Sequence, residues 1–351
     1  MAVQSTPARY ILRAALEQLA IGRGPGVFGL VAEQGEVIFA ECVGTADLEN
    51  GRPILAHDRF RVASLTKVYT ATLVLQLVDE GRLGLGDTLE QWLPGLVDNP
   101  AGITVEHLLT MRSGLPDYIF ALLGDPPHDL EALSRYYSPP ELVGIALSQP
   151  GRRPPGRAHR YSNTNYLLLG LILEQAGELP LEALMWERIF YPLGLMDTSF
   201  PTVDPYVRGQ HVRGYMRLSP DDDYVDCTEY TPSEAWAAGA LISTPLEVVR
   251  FLEGLFEGEL LPEHLVAAMR TPIPIEDRPG RGYGYGLVCL ELPDGEALFG
   301  HGGDHFGVSC LALRSEHGRT MVVYQNCLDA VTKGIGRDNP FIQAAFGPLE
   351  L

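Results

Sequence analysis

The spacing that can do chemistry in this chain is Ser64-Leu65-Thr66-Lys67, which opens the apolar run Val68 to Val78. A serine and a lysine at i and i+3 share one face of a helix. A helix start carries backbone N–H groups without intrahelical partners and a partial positive charge. A hydroxyl nucleophile there finds an oxyanion donor in its own amide and, one turn on, an amine to take its proton. The chain contains 26 Lys plus Arg but only two lysines, Lys67 and Lys333. Arginine stays charged at any working pH, whereas a crowded lysine can lose its proton and act as a base.

Two further stretches have matching character. Tyr161-Ser162-Asn163 follows the loop Pro150-Gly151-Arg152-Arg153-Pro154-Pro155-Gly156 and opens an apolar helix. A tyrosine at such a junction can point into a cleft and relay a proton, and an asparagine beside it can meet Lys67 or a substrate carbonyl. Phe299-Gly300-His301-Gly302-Gly303-Asp304 follows one β-type run and precedes another. Its small residues let a substrate backbone lie close against a strand edge, and the amide after Gly303 can pair with that of Ser64 as an oxyanion hole. The nine histidines form no metal-ligand spacing. His301 and His305 would share a face only on a helix, which this segment is not. No metal and no cofactor is expected.

The elements that must position these residues are legible in outline. Ile11 to Ile21 reads as an amphipathic helix. Val27–Ala32 and Val37–Ala40 around Gln34-Gly35 read as a hairpin. The Ser64 helix ends at Gly81. Helices follow at Thr104–Leu109, Pro139–Leu147, Asn163–Ala176, Leu181–Phe190, Pro245–Phe256 and Pro262–Met269. Short β-type runs come next at Tyr285–Leu290, Ala297–Phe299, Val308–Leu313 and Met321–Tyr324, and a helix from Pro340 to Phe346 closes the chain. Strands at both ends and helices between them imply an α/β protein of α+β type, an antiparallel sheet flanked by helices with an inserted helical subdomain. The expected division is residues 1–63 with 231–351 as the sheet subdomain and 64–230 as the helical one, the site lying between them.

In this order, the three motifs resemble the serine β-lactamase and penicillin-binding-protein superfamily. The nearest branch holds class C β-lactamases, DD-carboxypeptidases, D-aminopeptidases and related esterases, whose signatures are Ser-x-x-Lys, Tyr-x-Asn and His/Lys-x-Gly. The stretches Ile103–Thr110 with Ser113-Gly114-Leu115, Ala237–Thr244 and Tyr283–Leu287 are similar to that branch as well. The resemblance implies a β-lactamase/DD-peptidase-like fold and an acyl-enzyme on Ser64. It implies that Lys67 and Tyr161 share the general-base role, that Tyr161 protonates the leaving group, and that Asn163 and His301 orient the network. The amides of Ser64 and Asp304 would form the oxyanion hole.

Some positions depart from the branch. Similar DD-carboxypeptidases bind a substrate carboxylate with an arginine where this chain has Val288, and with a hydroxyl where it has Asp304. A lost cation and a gained anion should repel a carboxylate and favour a neutral or cationic group. The expected activity is therefore hydrolysis of an amide, a peptide (D-residue-containing peptides included) or an ester. A DD-carboxypeptidase or weak β-lactamase is the alternative, and a non-catalytic binder of β-lactams or peptidoglycan fragments the alternative outside enzymology. Gly302, Gly303, Asp304, Val288, Trp236 and Tyr118 are the expected substrate contacts, with Phe120 a further cleft aromatic.

Composition narrows the partners. With 351 residues, 46% hydrophobic content and net charge −19, the chain can build a large core but lacks the basic face that nucleic acid or an anionic membrane requires. A small molecule or peptide is the expected partner, and the oligomeric state is open. Five scattered cysteines without a Cys-x-x-Cys read as free thiols in a reducing compartment. With no signal-peptide pattern at the N-terminus, a cytoplasmic location is expected.

Overall fold

The computed structural model describes residues 6–98, 100, 102–124, 131–217, 219, 221–276, 278–329, 332, 334–336 and 338–347. Lys333 lies outside the described residues. The strands are β1 (Gly26–Glu33), β2 (Glu36–Gly44), β3 (Phe60–Arg61), β4 (Tyr215–Met216), β5 (Val225–Asp226), β6 (Ile242–Ser243), β7 (Ile273–Pro274), β8 (Arg281–Tyr283), β9 (Val288–Glu291), β10 (Ala297–His305), β11 (Val308–Ser315) and β12 (Arg319–Gln325). Eight of them form one antiparallel sheet in the order β2-β1-β12-β11-β10-β9-β8-β7, and β3 pairs with β6 and β4 with β5 in two small ladders.

The hairpin β1–β2 turns at Gln34 and Gly35, both at positive φ (49° and 82°), the conformation a two-residue turn needs to match the strand twist. The hairpin joins the C-terminal strands through β1 and β12, in a register that sets Val27 opposite Gln325 and Glu33 opposite Arg319. Both faces of β1 are covered, which is why it reads as a near-continuous apolar run rather than an alternating one.

Side-chain alternation splits the core. Met321 and Val323 of β12 face a layer made by α1 (Thr6–Ala20), through Leu12 and Leu16, and by the helix Pro340–Phe346, through Phe341 and Ile342. Gly29 is required there, since a Cβ would stand 2.6 Å from the Phe341 ring. Val322 and Tyr324 face the other way, into a core shared with the helices of the middle of the chain. At its centre lies α2 (Thr66–Asp79), buried from Thr66 to Leu75 on all sides. Its Tyr69 stacks on Phe251 of the helix Pro245–Phe256, with centroids 3.5 Å apart and 10° between planes.

Most expected elements form close to their expected bounds. Two differ for physical reasons. Tyr285-Gly286-Leu287 is a turn and not the start of a strand, because Gly286 takes φ 74° and tucks against Ala71 and Lys67 of α2. The glycine-rich segment after Phe299 continues as strand to His305, because β11 pairs with it throughout, His301 opposite Ala312 and Gly303 opposite Cys310.

Candidate active site

Ser64 sits in a single 3-10 turn, Ala63–Leu65, that leads into α2. The turn is held from two sides. On one side, Val62 N–H donates to Leu241 O (3.0 Å) and β3 pairs with β6. Leu241 N–H donates to Thr66 Oγ1 (3.1 Å), Thr70 Oγ1 donates to Ala237 O (2.8 Å), and Lys67 Nζ donates to Ala238 O (2.7 Å). The segment 237–241 is thus tied to the first two turns of α2. On the other side β10 presses directly on the turn. A Cβ at Gly303 would lie 2.1 Å from Val62 O and 3.1 Å from Ala63 Cβ. Between these supports Ala63 is held at φ 47°, a conformation a non-glycine residue keeps only when its surroundings impose it.

Lys67 has no exposed surface. Its Nζ lies 2.9 Å from Ser64 Oγ, 2.7 Å from Asn163 Oδ1 and 2.7 Å from Ala238 O. Burial drives its pKa from 10.5 down to about 7, against a smaller upward pull from the Asp117 carboxylate. At neutral pH a large fraction is therefore uncharged amine. The Tyr161 ring centroid is 5.1 Å from the same Nζ, and Tyr161 is 37% exposed and lines the cleft, so its ring borders both the lysine and the cleft. His301 lies behind that ring, with centroids 6.1 Å apart, and its Nε2 meets the hydroxyl of buried Tyr283 at 3.2 Å.

The loop carrying Tyr161 is fastened to the loop before it. Ser162 Oγ and Thr164 Oγ1 both donate to Pro116 O, at 3.0 and 2.7 Å. Next to that carbonyl, Asp117 accepts from Asn163 Nδ2 (2.9 Å) and from Ile119 N–H (3.2 Å).

Ser64, Tyr161, Asn163, His301, Gly302 and Asp304 line one cleft of about 730 Å³, whose apolar wall includes Ile119, Phe120, Leu123 and Phe306. Arg160 also lines it, and its guanidinium donates to Gly151 O at 2.7 Å. Four expected substrate contacts are elsewhere. Val288 is fully buried in β9, Tyr118 is buried with its hydroxyl donating to Glu234 O, and Trp236 packs its ring over Gly170. These are core residues, because the faces of their elements that carry them turn inward. Gly303 meets the Ser64 turn and not the cleft. Asp304 is exposed at the cleft edge, where its carboxylate accepts from Ser309 Oγ at 2.5 Å. The acidic run Asp221-Asp222-Asp223 is exposed and is not part of the cleft lining. Asp117 and Tyr283 were not singled out from sequence. The one signal for Asp117 is its place two residues after the family-like stretch Ser113-Gly114-Leu115.

The arrangement can transfer a proton. A neutral lysine has two N–H donors and one lone pair. Asn163 Oδ1 and Ala238 O can only accept, so they take the two donors, and the lone pair is left facing Ser64 Oγ. The hydroxyl can then give its proton to Nζ as its oxygen attacks a carbonyl. Among the described residues no group of three or more His, Cys, Asp or Glu side chains could hold a metal ion, and no helix is long and apolar enough to cross a membrane.

Residues 12–339 match the family model described as Beta-lactamase. The chain is similar to the D-stereospecific amidohydrolase from Streptomyces sp., at 31% identity and TM-score 0.86 over 97% of this chain and 98% of that one. It is also similar to the D-amino acid amidase from Ochrobactrum anthropi SV3 solved with L-phenylalanine amide, at 28% identity and TM-score 0.84 over 96% and 98% of the two chains. Esterase EstB of Burkholderia gladioli is 29% identical over 310 residues, 79% of each chain.

Proposed function

The chain belongs to the beta-lactamase family, and on that footing we propose that this serine hydrolase cleaves the amide of a small D-configured amino-acid amide or short peptide with a free α-amine, through an acyl-enzyme on Ser64. Hydrolysis of amide or ester bonds follows from the family and its named relatives. The observation that carries the reaction is the fully buried Lys67, 2.9 Å from Ser64 Oγ. The amide preference and the D configuration are supported by the two amidases that align along nearly the whole chain.

In the proposed course, Ser64 Oγ bonds to the substrate carbonyl carbon as its proton passes to Lys67 Nζ. The developing oxyanion is met by the amides of Ser64 and Asp304. The C–N bond breaks, the leaving nitrogen takes a proton from the Tyr161 hydroxyl, and Lys67 returns one to Tyr161. Water then adds to the ester, loses a proton to the same pair, and the C–Oγ bond breaks with Ser64 regaining its hydrogen. Asn163 and His301 hold Lys67 and Tyr161 in place. The apolar wall at Phe120 and Phe306 takes the substrate side chain, and Asp304 at the cleft edge draws the α-ammonium. The five unpaired cysteines support action in a reducing compartment.

The test is a substrate panel on wild type and Ser64→Ala: D- and L-phenylalanine amide, a p-nitrophenyl ester, a D-Ala-D-Ala peptide and a chromogenic cephalosporin. Ser64-dependent release of ammonia with D over L preference is expected. Efficient release of D-alanine with no amidase activity contradicts the proposal. Asp304→Thr should raise KM for the amino-acid amide and leave the ester's KM unchanged.

A further inference from the structure

We propose that Asp117 is the positioning residue that decides which way the Asn163 side-chain amide points, and thereby where the Lys67 lone pair is aimed. An asparagine amide can sit either way round, and the two ends have opposite hydrogen-bond character. Both Asp117 oxygens can only accept. One takes the Ile119 N–H (3.2 Å), and the other faces the Asn163 amide at 2.9 Å and so demands its NH2 end. That leaves Oδ1 toward Lys67 Nζ, at 2.7 Å.

The consequence falls on the base. With Oδ1 and Ala238 O both accepting, the neutral amine spends its two N–H bonds on them and keeps its lone pair for Ser64 Oγ. With the amide reversed, the Asn163 NH2 would donate to that lone pair, and Ser64 would face an N–H. Asp117 is not part of the cleft lining, so it acts through Asn163 and not on the substrate. Its loop is built for this reach, since Ser162 and Thr164 clamp Pro116 O on either side of Asn163.

Asp117 also has an electrostatic role. Its charge raises the Lys67 pKa that burial lowers. The other titratable groups around Lys67 are the rings of Tyr161 and Tyr166, at 5.1 and 5.7 Å, with Tyr118 beside Asp117 and His301 beyond Tyr161. Glu234, on the segment that leads to Ala238, is turned to His305. Asp117 is thus the acidic side chain whose charge bears on Lys67.

This inference rests on the reading that Lys67 deprotonates Ser64. It is tested on the full chain by the pH dependence of Ser64 labelling with a fluorophosphonate, followed by intact mass, for wild type, Asp117→Asn, Asp117→Ala, Asn163→Ala and the Asp117→Ala/Asn163→Ala double variant. Both Asp117 variants should move the ascending limb to lower pH by about half a unit or more, a shift that a purely structural role would not produce. The plateau rate should fall about 3–10-fold in Asp117→Asn, whose single carbonyl cannot serve both donors, and about tenfold or more in Asp117→Ala. The double variant should be no slower than Asn163→Ala within about twofold, because no amide is left to orient. An unmoved limb in Asp117→Asn, which keeps the shape of the site, overturns the inference, as do losses that multiply in the double variant. If the wild type itself shows no labelling at Ser64, the hydrolase reading falls and this inference with it. Normal wild-type labelling with unmoved variants sinks the inference alone.

Discussion

Lys67 Nζ lies 2.9 Å from Ser64 Oγ, and its two other partners, Asn163 Oδ1 and Ala238 O, are atoms that can only accept hydrogen bonds. Burial lowers the pKa of this amine, and on the proposed reading the partners give the base a direction. The turn and helix place the pair, the 237–241 segment supplies one acceptor, and the Tyr161 loop supplies the other.

The pH dependence has a defined sign. On the proposed reading Lys67 is active when neutral, and its pKa is brought down to about 7 by burial. Acylation should rise about tenfold per pH unit below 7 and level off above it. The same depression affects stability. Between about 7 and the unfolded value of about 10.4, the unfolded chain binds the proton and the native chain does not, so stability rises with pH in that window and the contribution is flat below it. The difference in unfolding free energy between wild type and Lys67→Met should therefore move in favour of wild type as pH is raised from 7 to 10, by at most about 1.4 kcal/mol per unit, with Tm following in the same direction. Thermal melts at stepped pH check it.

Gly303→Ala should both destabilise and slow the enzyme. Its Cβ would stand 2.1 Å from Val62 O, a backbone atom of the turn that carries Ser64, and that turn cannot yield without moving Ser64. A cost of about 1–3 kcal/mol is expected from the overlap. Gly302→Ala meets Cys310 O at 3.4 Å, ordinary contact, and should cost under about 1 kcal/mol. Denaturant midpoints and acylation rates of the two variants, side by side, check the contrast.

Tyr161→Phe keeps the ring beside Lys67, Tyr283 and His301 and removes only the hydroxyl. With the ring 37% exposed, Tm should change by no more than a few degrees. The loss should be in kcat, about 10²–10⁴-fold, as for removal of an acid–base group. It should be larger for an amide than for an activated ester, whose leaving group needs no proton. Parallel kinetics on the two substrates check it.

What could be read from the sequence was what is local or repeated. Ser64 and Lys67 are one helical turn apart, so their pairing is a property of the spacing, and Tyr161 and His301 were legible through the family's motifs. The hairpin at Gln34-Gly35, with its demand for positive φ, was also within reach. The faces of elements were harder to assign. Tyr118, Trp236 and Val288 are residues that suit a cleft as well as a core, and only the packing of α2, β9 and the 237–241 segment turns them inward. The length of β10 was hidden because His301-Gly302-Gly303 has poor strand propensity and is held extended by β11. Asp117 was hidden for another reason: its partner Asn163 is 46 residues away, and a Pro-Asp pair before a short helix reads as an ordinary turn.

The most direct measurement is rapid-quench mass spectrometry of the full chain with a p-nitrophenyl ester, followed by peptide mapping. One acyl group per chain on the peptide carrying Ser64, absent from Ser64→Ala together with turnover, is the expected result. Turnover that persists in Ser64→Ala, or an acyl group mapped to another residue, contradicts it.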